Sequence, residues 1–127
     1  MTDAFAIADW TLYGTSFWCN PPYGDLLRWV RRFNLQATEN GAFIEALLPA
    51  NTGAQWFAFC AATAQEIDLL TGRIPFMIDG KLPVDAAGKK TGNTSDSMLV
   101  RWHPGGRYGG ARIGVIDWRE EMKKWQR

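Results

Sequence analysis

The stretch that most restricts what this chain can fold into is Phe17–Gly24, FWCNPPYG. Two adjacent prolines remove two backbone N–H donors and fix two φ angles, so neither a strand ladder nor a helix interior can run through them. The β-type run Thr15–Cys19, TSFWC, therefore has to stop at Asn20. Beyond the turn, Leu26, Val30, Phe33 and Ala37 recur at the spacing of one helical face, with Asp25 near the positive end of that helix. A strand ends, a stiff turn holds out an amide and an aromatic ring, and a helix begins.

The remainder repeats this alternation. Gly41 punctuates, and AFIEALLP (Ala42–Pro49) is a near-continuous apolar run of strand length, as expected of a strand covered on both faces. Asn51 or Thr52 is placed to cap a following apolar helix in which Trp56 and Phe57 are core by default. EIDLL (Glu66–Leu70), SMLVRW (Ser97–Trp102) and ARIGVIDW (Ala111–Trp118) read as further strands. HPGGRYGG (His103–Gly110) reads as a hairpin turn rather than a nucleotide cradle, because a strand and not a helix follows it. Asp79–Asp96 is the longest loop, and a short basic helix, Arg119–Gln126, closes the chain.

This order predicts an α/β domain, a single one over residues 1–127, with a mostly parallel sheet, an antiparallel edge made by the last two strands, and flanking helices. In such sheets the chemistry lies beyond the carboxyl ends of the strands. Asn20–Tyr23 falls at one such end, and PANT (Pro49–Thr52) at the next.

Composition narrows the class. At 127 residues and 46% hydrophobic, the chain can bury a core. No stretch approaches the roughly 20 apolar residues of a membrane span, and the N-terminus has no signal pattern. Cys19 and Cys60 are too few for a disulfide framework or a zinc site, which fits a reducing cytoplasm. Basic residues gather at Arg28, Arg31 and Arg32, and again from Arg101 to Arg127; such faces suit phosphate contact or are ordinary solvated surface. His103, the single histidine, has no nucleophile motif and no second metal ligand beside it, so it reads as a turn residue and no metal is expected.

The turn itself has a chemistry. An exocyclic amine on an aromatic base is a poor nucleophile because its lone pair is delocalised into the ring. Two acceptors that hold its two hydrogens favour the pyramidal, nucleophilic form. Asn20 supplies a side-chain carbonyl and Pro21 a main-chain carbonyl, and the prolines fix both in advance. Tyr23 offers a flat face on which a base stacks, worth about 1–3 kcal/mol in nucleic-acid sites. Cys19 is not expected to act as a covalent nucleophile, because Asn occupies the position where such chemistry needs a thiolate. At average residue frequencies NPPY arises by chance about once in a few thousand chains of this length, so its place at a strand end is not lightly ascribed to accident.

With those residues in view, the chain resembles the phage-type DNA N-6-adenine methyltransferases. The resemblance is carried by NPPY and by blocks in order: Asp9–Trp10, FWCNPPYG, LLPANTGAQWF, EIDLLTGRIPF and NTSDSMLVRW. It runs from about Asp9 to Trp102 and implies part of a Rossmann-like, S-adenosylmethionine-dependent methyltransferase fold. It also implies S-adenosylmethionine as methyl donor, DNA adenine flipped from its stack as acceptor, and a bacterial cytoplasm hosting a phage or prophage. Asn20, Pro21, Pro22 and Tyr23 map onto the catalytic turn, with Asn20 and Pro21 the candidates for contact with the donor. Arg73, Lys81, Lys89 and Lys90 are candidates for contact with DNA. Family members usually carry an acidic, donor-holding block upstream of this point, so a catalytic portion without that segment is expected here. Two other readings keep the turn or the surface: an NPPY methyltransferase acting on protein glutamine or RNA, and an inactive DNA-binding remnant.

Overall fold

The computed structural model describes residues 4–71, 96–106, 110–117 and 119–120. Within them five strands and two helices follow the expected order: β1 (Ser16–Cys19), α1 (Leu26–Asn40), β2 (Phe43–Pro49), α2 (Gln55–Thr63), β3 (Glu66–Thr71), β4 (Ser97–Trp102) and β5 (Arg112–Asp117). They form one sheet in the order β1-β2-β4-β3-β5. β1 is parallel to β2 and β5 to β3, whereas β4 runs against both of its neighbours, β2 and β3. Four strands thus point one way and the opposed one lies in the middle.

The expected antiparallel edge is therefore corrected. HPGGRYGG does not close a hairpin, because β3 is inserted between β4 and β5. Gln65 holds the insertion in place. Its side-chain oxygen accepts from the His103 N–H (2.6 Å), its carbonyl from the Arg112 N–H (2.9 Å), and its own N–H donates to the Arg101 carbonyl. Burial gives the reason. Met98, Val100 and Trp102 of β4 are fully buried and belong at the centre, whereas Ile113 and Val115 of β5 stand 52% and 66% exposed, as an edge permits.

Leu26, Val30, Phe33 and Ala37 all turn inward, as their spacing predicts. They form one cluster with Ile44, Ala46 and Leu48 of β2 and Met98, Val100 and Trp102 of β4. Trp102 is edge-tilted against Phe33 at 5.5 Å and donates its indole N–H to the Thr63 hydroxyl at the end of α2. α1 ends at Gly41, whose φ of 77° is the left-handed conformation that costs glycine least. Trp56 and Phe57 are partly buried against the same core. α2 starts later than the sequence implies: its cap is Ala54, with no side-chain bond, and neither Asn51 nor Thr52 caps it. The main chain turns first, with the Asn51 N–H on the Pro49 carbonyl and the Ala54 N–H on the Asn51 carbonyl.

Residues 4–13 lie along α1 and are fastened by its polar side chains. Arg32 donates to the Phe5 and Ile7 carbonyls, at 2.9 and 2.7 Å. The fully buried Gln36 accepts from the Trp10 N–H and donates to the Ala8 carbonyl, and Asn40 donates to both Gln36 and Ala8. A buried carboxamide bonded on both sides costs little, whereas the same group unpaired would cost about 1–3 kcal/mol.

The sheet face turned away from the helices carries a charged cluster across four strands. Arg101 of β4 bonds Glu45 of β2 at 2.6 Å and Asp68 of β3 at 2.5 Å. Glu66 of β3 accepts from Arg112 of β5 at 2.9 Å and meets His103 Nε2 at 2.6 Å. Gly114 of β5 leaves the space that Asp68 fills; a Cβ there would run into the Asp68 carboxylate.

Candidate active site

β1 alternates, with Phe17 and Cys19 packed against the core and Ser16 and Trp18 facing outward. At Asn20 the chain leaves the sheet. Pro21 is buried and anchors the turn, and Pro22 continues extended at φ −63° and ψ 142°. Tyr23 opens a short 3₁₀ turn, Tyr23–Asp25, that feeds directly into α1. The stiff turn thus sits between a strand end and a helix start, as the prolines require. Asn20 is exposed, and no side-chain hydrogen bond to it exists among the described residues. Its carbonyl is free to accept, and the Pro21 carbonyl lies one residue on.

Tyr23 is 40% exposed, and partial burial pushes its hydroxyl pKa up, so the ring stays neutral at physiological pH. Burial pushes the Cys19 thiol up to about 11 and the Cys60 thiol up to about 12. A thiolate nucleophile beside Asn20 is therefore absent at neutral pH. Next to the turn, a cavity of about 250 Å³ opens between residues 4–13, β1 and α1, walled by Trp10, Tyr13, Phe17, Cys19 and Trp29 among others. Its walls are apolar or aromatic, with no charged and no amide side chain.

Part of each basic cluster is engaged within the fold, while Arg31 is exposed and Arg107, Lys123, Lys124 and Arg127 lie outside the described residues. Arg32 is spent on the Phe5 and Ile7 carbonyls, and Arg28 lies 3.8 Å over the Phe5 ring. Arg101 and Arg112 are bound to carboxylates on the sheet face. Burial works against the Arg101 charge, but its hydrogen bonds to Asp68 and Glu45 more than offset this and raise its pKa. His103 is half-buried rather than a bare turn residue, packed edge-on against Phe43 and bonded to Glu66. That contact, then Arg112, holds the Glu66 carboxyl below its ordinary range. Arg73, Lys81, Lys89 and Lys90, most of the loop Asp79–Asp96, and most of the closing basic helix lie outside the described residues.

Sequence reasoning gave one residue at this end no role and another a role that it does not take. Trp18, 59% exposed on β1, was legible from the two-residue alternation alone. Asn51 was assigned to a helix cap that it does not make. Among the described residues no three of His, Cys, Asp or Glu gather as a metal site, and no helix is long and apolar enough to cross a membrane.

Comparison with known proteins bears on this arrangement. The chain matches the family model described as DNA N-6-adenine-methyltransferase (Dam) over residues 2–125. A DNA N-6-adenine-methyltransferase of Haemophilus phage HP1 (strain HP1c1) is 31% identical over 119 residues, which are 92% of this chain and 64% of that relative. The chain thus spans less than two-thirds of the relative's length. No solved structure matches it.

Proposed function

We propose, on the premise that the chain belongs to the DNA N-6-adenine-methyltransferase (Dam) family, that it methylates the exocyclic amine of adenine in DNA. The observation that carries this is the Asn20 amide: exposed, unpartnered among the described residues, and held at the carboxyl end of a strand by two prolines. The carboxamides of Gln36 and Asn40 are spent within the fold, whereas that of Asn20 is open to solvent and so to a ligand.

Asn20 Oδ1 and the Pro21 carbonyl each accept one hydrogen of the adenine amine. Holding both hydrogens out of the ring plane localises the nitrogen lone pair, which makes the amine an attacker without a charged base. The acceptors are in place before the substrate arrives, so no reorganisation is needed at the moment of reaction. Tyr23, neutral and partly exposed, supplies the stacking face for the flipped base.

The methyl donor of this reading is S-adenosylmethionine, which carries its electrophilic methyl on a sulfonium sulfur. Asn20 and Pro21 remain the candidates for contact with it. The cavity beside the turn suits a flat group or a cation set against its aromatic rings, and offers no charged or amide side chain to a carboxylate. What the described part of the chain provides is the acceptor side of the reaction, within the Rossmann-like methyltransferase fold that this reading entails. The order β1-β2-β4-β3, with the opposed strand inserted, supports that fold. We assign residues 1–127 to a single catalytic portion acting on DNA in the bacterial cytoplasm.

The test is incorporation of labelled methyl from S-adenosylmethionine into unmethylated DNA, RNA and protein by the same preparation. Label in DNA, recovered as N6-methyladenine, is the expected result. Label confined to RNA or to protein glutamine transfers the turn to another substrate. No label anywhere, together with no donor binding by calorimetry at millimolar concentration, leaves a DNA-binding remnant.

A further inference from the structure

A second amide stands at the same end of the sheet as the catalytic turn, with no protein partner among the described residues. β1 and β2 are parallel with Cys19 opposite Ala46, and β2 runs on to Pro49, three residues beyond that pair. While the chain after β1 turns at Asn20–Pro22, β2 continues alongside and delivers residues 50–54 to the same end of the sheet. That loop is fixed by its main chain. The Ala50 N–H donates to the Asp96 carbonyl (2.8 Å), the Asn51 N–H to the Pro49 carbonyl (2.9 Å), and the Ala54 N–H to the Asn51 carbonyl (3.2 Å). The Asn51 side chain takes no part: it is exposed and has no side-chain hydrogen bond among the described residues. Gln36, Asn40 and Gln65, by contrast, all use their amides to fasten the fold.

The chemistry left unread by Asn20 and Pro21 defines what a second amide can do. Both acceptors are taken up by the amine hydrogens, and cytosine carries a ring amine of the same kind. Adenine N1 and cytosine N3 flank that amine alike, so a contact there cannot separate the two bases. N7 can, because cytosine has only a C–H on that side. Reading N7 requires a donor, and an asparagine amide reaching N7 is a familiar mode of adenine recognition.

We infer that Asn51 is the specificity residue for the target base, its Nδ2 donating to adenine N7. The inference rests on the proposed reading of the turn and adds a residue to it. The experiment uses the full chain and one DNA fragment amplified with either dATP or 7-deaza-dATP, so that no recognition sequence has to be known. Labelled methyl transfer is measured on both templates for wild type, Asn51→Ala and Asn51→Asp. Wild type is expected to transfer about five- to tenfold more slowly to the 7-deaza template, the scale of one lost neutral hydrogen bond. Neither variant has a donor to lose, so that ratio should shrink at least about threefold in both; comparing ratios cancels the altered reactivity of the analogue itself. Wild-type transfer with the same ratio in all three proteins overturns the role of Asn51 alone. A wild-type chain that methylates neither template overturns the parent reading and this one with it.

Discussion

The carboxyl end of the sheet and the face turned away from the helices use polar side chains in opposite ways. On that face nearly every charge is matched: Arg101 with Glu45 and Asp68, and Glu66 with Arg112 and His103. At the carboxyl end, Asn20 and Asn51 are exposed and have no partners among the described residues. The contrast teaches that partnered groups fix the position of the strands, while the exposed amides on that frame stay open to solvent and to any ligand that reaches them. It also separates two kinds of damage: one region should fail in activity with the fold intact, the other in the fold itself.

The largest effect expected is at Asn20. Asn20→Ala should lower the rate of methyl transfer by about 10²–10³, the scale of one lost group that stabilises charge in a transition state, while the urea midpoint stays put. A variant that methylates DNA at the wild-type rate breaks the contrast outright. Next comes Arg101→Met on the charged face. It leaves Asp68, only 6% exposed, with Arg112 at 3.9 Å as its remaining cation, and should cost about 3 kcal/mol in urea unfolding. A loss under about 1 kcal/mol would show that the cluster is surface decoration.

Tyr23 sharpens the comparison at smaller scale. Tyr23→Ala should slow transfer about tenfold through lost stacking, and Tyr23→Phe by much less; the reverse order would assign the hydroxyl rather than the ring. The smallest effect is the pH dependence at Glu66. Its folded pKa is depressed, by the His103 bond first and the Arg112 bond second, so its contribution is complete above the ordinary glutamate value of about 4.3. That contribution disappears as pH falls through the lower folded value. Glu66→Gln should remove this acid-side slope from stability measured between neutral and acid pH, with less than about 1 kcal/mol lost at neutrality, where the partly exposed pairs are screened.

Much of the local structure was readable in the chain. The helical face of α1, the strand that becomes β2, the break at Pro21–Pro22 and the place of Asn20 at a strand end each follow from spacing and residue type over a few positions. The role of HPGGRYGG was not readable, because glycines that permit a hairpin equally permit a connection to a strand beyond β3. Nor was the employment of Arg28 and Arg32, since a basic cluster looks the same whether it faces phosphate or clamps residues 4–13. The cap offered at Asn51 or Thr52 fails for a like reason: capping depends on where the main chain turns, and that turn is set by the Pro49 and Asp96 carbonyls.

By itself the sequence determined that strands and helices alternate, and that one strand must end in a rigid turn presenting an amide. Periodicity and proline geometry act over neighbouring residues, so they are written locally. Only the tertiary structure decided that β4 lies between β2 and β3, that β5 takes the edge, and which amides are consumed by the fold. Those outcomes depend on competition among distant segments for buried positions and hydrogen-bond partners. Met98, Val100 and Trp102 are covered completely at the centre, as the half-exposed Ile113 and Val115 of β5 are not, and Asn20 and Asn51 stayed open because nothing else in the described fold reaches them.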